Sequence, residues 1–210
     1  MLSTDGADFG DKHLLSRLLG FSDIVMGFSM ALLGLSLHPP DSLLKMGEHI
    51  PELGVFLVGF ALMAFLWWFQ HRLFACYFVA NSLSIVLNFA MLAGVVVFVY
   101  VIESFTLLFR TPVFDMRSYV IGVSLWCASY GVVMALMGAM YAIGVRKRWK
   151  SLRRDLQIWG VERAVNAGAG GLLLIVVAFI APHVPPIFVG FLGALMALPL
   201  LVQKLVVRRI

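Results

Sequence analysis

The chain has 210 residues, 61% of them hydrophobic and 13% charged, with a formal net charge of +5. A soluble domain carries about a quarter charged residues, so this composition, with a mean hydropathy of +0.97, excludes a soluble globular domain and points to an integral membrane protein. The basic excess does not signal nucleic-acid binding, because Lys and Arg cluster between apolar runs as membrane topology demands.

The first residues, Met1 to Lys12, are polar and acidic (Asp5, Asp8, Asp11). They lack the basic start and small-residue cleavage site of a signal peptide, so the first helix is expected to be retained. Helices of roughly 20 residues divide the chain into six predicted spans, at about 18–37, 53–70, 79–107, 118–145, 164–181 and 184–204. The expected fold is all-α: one six-helix transmembrane bundle over residues 1–210. His38-Pro39-Pro40-Asp41 closes the first span, Arg110-Thr111-Pro112 the third, and Pro182 with Pro185-Pro186 parts the fifth from the sixth. Proline fixes φ and lacks a backbone donor, so these strings read as turns. A short, weakly amphipathic helix is expected between Asp41 and Glu52.

Thirteen Lys and Arg fall at the N-terminus, the even loops and the C-terminus, against three (Lys45, Arg110, Arg117) on the other side. The positive-inside rule then puts both termini in the cytosol. The densest block, Arg146 to Arg154, reads as a topology determinant or as a contact for anionic headgroups. Trp149 and Trp159 flank it as interfacial aromatics do. Toward the outer side, Glu103 reads as an interfacial carboxylate or as negative charge at a cation entry, and the acids Asp41, Glu48, Glu52 and Asp115 outnumber the three outer-side Lys and Arg by too little to carry weight.

The first span carries Gly20-Phe21-Ser22, Gly27-Phe28-Ser29 and Gly34-Leu35-Ser36, three glycine–apolar–serine copies seven residues apart. Seven residues is nearly two helical turns, so the copies form a glycine stripe, a bulky stripe and a hydroxyl stripe. Small residues permit close helix packing, the simpler reading; a helix with one face packed and another facing a pore is the alternative. Arg17 and Asp23 flank the cytosolic end, and ionisable groups at a membrane helix are expensive enough to need a partner or a job. Ser22 or Asp23 would suit the cap of a helix beginning near residue 18.

The string Arg17-x-x-x-Phe21-Ser22-Asp23 at the start of the first of six spans resembles the signature of the transmembrane protein 175 family of potassium channels. Trp67-Trp68-Phe69-Gln70-His71 at the end of the second span, and Asn81 with Leu87-Asn88 in the third, are similar to that family's polar positions. The resemblance covers the first three helices. It implies the bacterial single-repeat type, a homotetramer in the inner membrane whose first helices line a pore for potassium. It also implies an apolar constriction in place of a carbonyl filter, and this chain has no Thr-Val-Gly string. Carried over by position, the constriction falls on Phe28, Leu32 and Leu35, which share one helical face. Two positions depart from the pattern. Phe28 stands where Ile or Leu is usual, and Gly27 and Ala31 stand where a hydroxyl residue often lies. Arg17, Phe21, Ser22 and Asp23 are expected to position the pore helix, tied to the second and third helices through His71 and Asn81, and buried Asn88 must find a partner.

Catalytic strings are absent: no His-Glu-x-x-His, no phosphate-binding glycine loop and no Gly-x-Ser-x-Gly. Neither the scattered histidines (His13, His38, His49, His71, His183) nor Cys76 and Cys127 show a metal-ligand spacing, so no enzyme, cofactor or metal site is expected. A secondary transporter would favour broken helices and repeated halves; only Gly168-Ala169-Gly170-Gly171 is a candidate break. A non-conducting membrane scaffold is the third reading, kept open by bulky Phe28.

Overall fold

The structure, a computed structural model, describes residues 5–37, 39, 42, 44, 47, 49–109 and 115–183. Within them lie five long helices: α1 Asp5–Leu35, α2 Ile50–Cys76, α3 Ser82–Thr106, α4 Met116–Arg148 and α5 Arg154–Ile180. All five are long and apolar enough to cross a membrane, which their mean composition already required. The sixth predicted span, 184–204, lies outside the described residues, as do Arg110-Thr111-Pro112 and His38, Pro40 and Asp41 of the first turn.

The expected boundaries need correcting at three places: the start of α1, the end of α2, which runs to Cys76 instead of stopping near 70, and the start of α5. Helix α1 starts at Asp5, well before the expected start near 18, because nothing in the polar N-terminal stretch breaks a helix and the apolar span from His13 simply continues it. Ser22 and Asp23 therefore lie several turns inside the helix and cap nothing. Helix α5 starts at Arg154 instead of near 164. The basic block is thus no long loop: Arg146, Lys147 and Arg148 are the last turn of α4, where cations suit the helix dipole. The connection is a tight elbow over 149–153, in which Gln157 donates to the carbonyls of Trp149 (2.6 Å) and Leu152 (3.1 Å). Glu52 falls in the first turn of α2, buried, with His49 at 3.4 Å.

Other helix ends follow local chemistry. Asn81 is the N-cap of α3, its side-chain oxygen accepting from the Ser84 amide at 3.1 Å. Asp115 caps α4, accepting from the amides of Arg117 and Ser118, both at 3.1 Å. These bonds, with one from the Ser118 hydroxyl, hold the Asp115 carboxyl below the usual carboxylate range.

Packing relies on shape, since lipid offers apolar side chains as good a solvent as other helices do. Helices α4 and α5 form the most extensive pair, with Gly131, Ala135 and Gly138 of α4 set against Gly168 and Gly171 of α5. A Cβ on Gly138 would fall 2.6 Å from the Gly168 Cα, so only glycine allows this approach. The Gly168-Ala169-Gly170-Gly171 run is continuous helix here. Helix α3 packs on α4 around Phe98, Val133 and Met137, and α1 packs against α2 and α3. Buried Tyr77, in the short α2–α3 turn, donates to the Leu156 carbonyl at 2.7 Å and stacks on Trp159 at 5.9 Å, tying that turn to α5.

Candidate pore helix and its polar lock

Helix α1 presents two opposite stripes. Leu18, Ser22, Met26, Ser29 and Leu33 are buried against α2 and α3. These positions recur at intervals of three and four, the period of one helix face. On the opposite stripe, Ile24 is 71% exposed, Phe28 66% and Leu35 77%. The glycines share the open side: among the described residues, a Cβ on Gly20, Gly27 or Gly34 would meet nothing within 4 Å. The glycine stripe is therefore not what packs α1 inside the subunit; the serine stripe is. Leu32 sits at the margin, half-buried against the core.

A chain of hydrogen bonds sets this rotation. The Gln70 amide of α2 donates to Asn88 Oδ1 of α3 at 3.0 Å. The Asn88 amide donates to Ser22 Oγ of α1 at 3.2 Å. The Ser22 hydroxyl donates in turn to the Leu18 carbonyl at 2.8 Å. Ser22 and Asn88 are both fully buried, and Gln70 nearly so. Each link gives one proton and takes one, as buried polar groups in hydrocarbon require. Next to it, the Trp67 indole N–H donates to Asp23 Oδ1 at 2.9 Å, giving the carboxylate its partner. Phe21 meets Phe89 of α3 edge-on, with ring centroids 5.7 Å apart.

The structure thus brings Phe21, Ser22, Asp23 and Asn88 together, and it recruits Gln70 and Trp67 as their partners. Asn81 bonds locally as a cap, and exposed His71 packs its ring against Trp67 at 5.8 Å. Neither contacts Ser22 or Asp23 by a hydrogen bond. Arg17 is exposed one turn below Phe21, with no hydrogen bond or ion pair among the described residues. Position relative to the hairpin turn was the signal for Gln70: it lies six residues before the end of α2 at Cys76, and Asn88 lies six after the start of α3 at Ser82. Antiparallel helices joined by a short turn place such equidistant residues side by side. Trp67 is signalled by chemistry, because an indole N–H inside a span needs an acceptor.

No bond-making chemistry follows from this arrangement. It orients one helix, and it leaves that helix's apolar stripe largely uncovered by the described residues.

Comparison with known proteins agrees. Residues 17–98 match the family model described as "Endosomal/lysosomal potassium channel TMEM175". No curated protein matches. Among solved structures, the chain is similar to a crystallised variant of the potassium channel MtTMEM175 in complex with a nanobody–MBP fusion protein. The TM-score is 0.67 at 18% identity, over 92% of this chain and 94% of that one. Residues 17–98 are therefore similar to the transmembrane protein 175 family, and the chain as a whole shares the fold of a solved channel described by that family name.

Proposed function

We propose that this protein is a potassium-permeable cation channel, a homotetramer whose first helices surround the pore. Phe28, Leu32 and Leu35 then form rings that constrict it. The observation that carries this reading is the two-faced register of α1: a hydrogen-bonded inner stripe, and an outer stripe of Ile24, Phe28, Ala31 and Leu35 that its own bundle leaves uncovered. The solved neighbour and the matched family are both described as potassium channels, which supports the choice of ion. Rings of apolar side chains hold back ions by dewetting instead of coordinating them. With Gly27 and Ala31 at the neighbouring positions, no hydroxyl lines the narrow zone, and discrimination against sodium is weak. Both termini lie in the cytosol of a bacterial inner membrane, and the basic elbow from Arg146 to Arg154 rests on anionic headgroups. No catalytic residue or resident cofactor belongs to this reading; the permeant cation is cargo.

Flux from liposomes tests it. Purified protein should pass potassium well above empty vesicles, and Phe28→Ala and Leu32→Ala should each raise that flux by widening the constriction. Absence of potassium and sodium flux from folded protein, in wild type and in both variants, overturns the channel reading.

A further inference from the structure

Helices α2, α4 and α5 enclose a slot of about 290 Å³. Its walls are mostly apolar: Phe65 and Phe69 from α2, Met134 and Met137 from α4, Ala167 and Leu174 from α5, with Tyr141 and Asn166 the polar members. Arg163 lines the end nearest the start of α5, the cytosolic end in the orientation proposed above. From Arg163 to Leu174 the slot follows α5 for about 16 Å, at about 1.5 Å per residue.

Arg163 is out of place for a structural residue. It lies ten positions into the membrane helix that starts at Arg154. Its guanidinium sits over the rings of Phe69 at 4.8 Å and Trp159 at 5.1 Å. Among the described residues no carboxylate pairs with it, and its buried Nε has no hydrogen-bond partner. Aromatic faces offset part of a buried cation's cost but accept no hydrogen bond in the plane of the fork. A charge inside a span normally has an anionic partner or faces water. Arg72, over the other part of Trp159 at 5.4 Å, adds a second positive charge at the same end.

We propose that this slot is a lipid site, holding one acyl chain of an anionic phospholipid from the cytosolic leaflet with its phosphate against Arg163. Charge selects the occupant. A phosphate accepts the two-pronged donation a guanidinium offers, and the mostly apolar channel behind it suits an acyl chain. The site is separate from the α1 stripe and does not depend on what α1 lines.

The test is lipid analysis of protein purified in mild detergent from a membrane containing phosphatidylglycerol and phosphatidylethanolamine. Native mass spectrometry should find one phosphatidylglycerol retained per chain in the wild type. Arg163→Gln should lower that occupancy about tenfold, the loss expected of one charge-assisted contact, while Arg163→Lys retains part of it. Met134→Trp, which fills the slot and leaves Arg163 in place, should lower it as well. Elution volume and thermal unfolding certify that each variant is folded. Equal retention in wild type, Arg163→Gln and Met134→Trp overturns the proposal. So does retention of phosphatidylethanolamine to the same extent, or of free fatty acid alone.

Discussion

The lock between α1, α2 and α3 makes an unusual demand on mutagenesis: a second substitution should repair the first. Asn88→Leu removes two hydrogen bonds, to Gln70 and Ser22. Bonds between membrane helices average about 0.6 kcal/mol each, so their loss costs about 1 kcal/mol. The Gln70 amide is then buried without its acceptor, which costs a further 1–3 kcal/mol or so. Ser22 is spared, because its hydroxyl still donates to the Leu18 carbonyl. The single variant should therefore lose about 2–4 kcal/mol. Adding Gln70→Leu removes the stranded amide, leaving a deficit near the 1 kcal/mol or so of the lost bonds. Unfolding free energies in bicelles, measured for both single variants and the double, give the coupling directly. The reasoning predicts a double variant about 1–3 kcal/mol more stable than Asn88→Leu alone. A double variant whose loss equals the sum of the single losses would refute it.

Three further outcomes follow from the geometry. Tyr77→Phe should cost about 1–3 kcal/mol by leaving the Leu156 carbonyl without its donor. Burial pushes the Tyr77 hydroxyl from 10.0 up to about 12, so its contribution is intact below pH 10 and is lost as pH rises through about 12, visible in tyrosinate absorbance at alkaline pH. Gly138→Ala should cost about 1–3 kcal/mol in thermal unfolding by forcing α5 away from α4, an overpacking penalty. Asp115 works in the opposite direction from Tyr77: its carboxyl is held below 3.8, so the cap is intact above that pH and is lost as pH falls through the lowered value, with faster amide exchange at Arg117 and Ser118. Unchanged exchange there between neutral pH and the acid limit of the folded protein would contradict the assignment.

What the sequence made legible, and what it did not, divides along physical lines. Apolar runs between breakers located five of the spans, because length and polarity alone decide whether a helix can cross hydrocarbon. The Arg17–Asp23 string carries the resemblance that the family match over 17–98 supports, and the structure gives Ser22 and Asp23 partners. Which partners they take depends on helix register: Asn88 is legible as a mid-span amide in need of a partner, but Gln70 and Trp67, and not His71 and Asn81, complete the hydrogen bonds. A backbone amide of its own helix competes for Asn81 at the turn, and a cap is the cheaper solution. The starts of α1 and α5 were misjudged for another reason: polar and basic residues end a hydrophobic run without ending a helix. Arg163 lay in plain view as a charge close to a span, but only tertiary structure shows it inside the bundle with aromatic faces above it.

The glycines of α1 carry the sharpest remaining argument. An apolar stripe turned outward suits lipid as well as a pore, and the glycines beside it offer a way to tell the two apart. Each interior glycine weakens a helix by about 0.8–1.0 kcal/mol relative to alanine, and Gly20, Gly27 and Gly34 gain nothing from close packing inside the subunit. A lipid-facing helix has no use for three such positions on one side, whereas a helix that meets copies of itself around an axis does, since small residues let backbones approach. Gly27→Ala therefore separates the alternatives. If α1 faces lipid, the substitution stabilises the protein by up to about 1 kcal/mol and leaves assembly and ion flux unchanged. If α1 faces its copies, the added methyl groups meet at the axis, and the tetramer weakens or the flux of potassium falls while the isolated fold is no less stable. Mass photometry and liposome flux on the same preparation read both quantities, and a more stable, fully assembled, unaltered channel would remove the first helix from the pore.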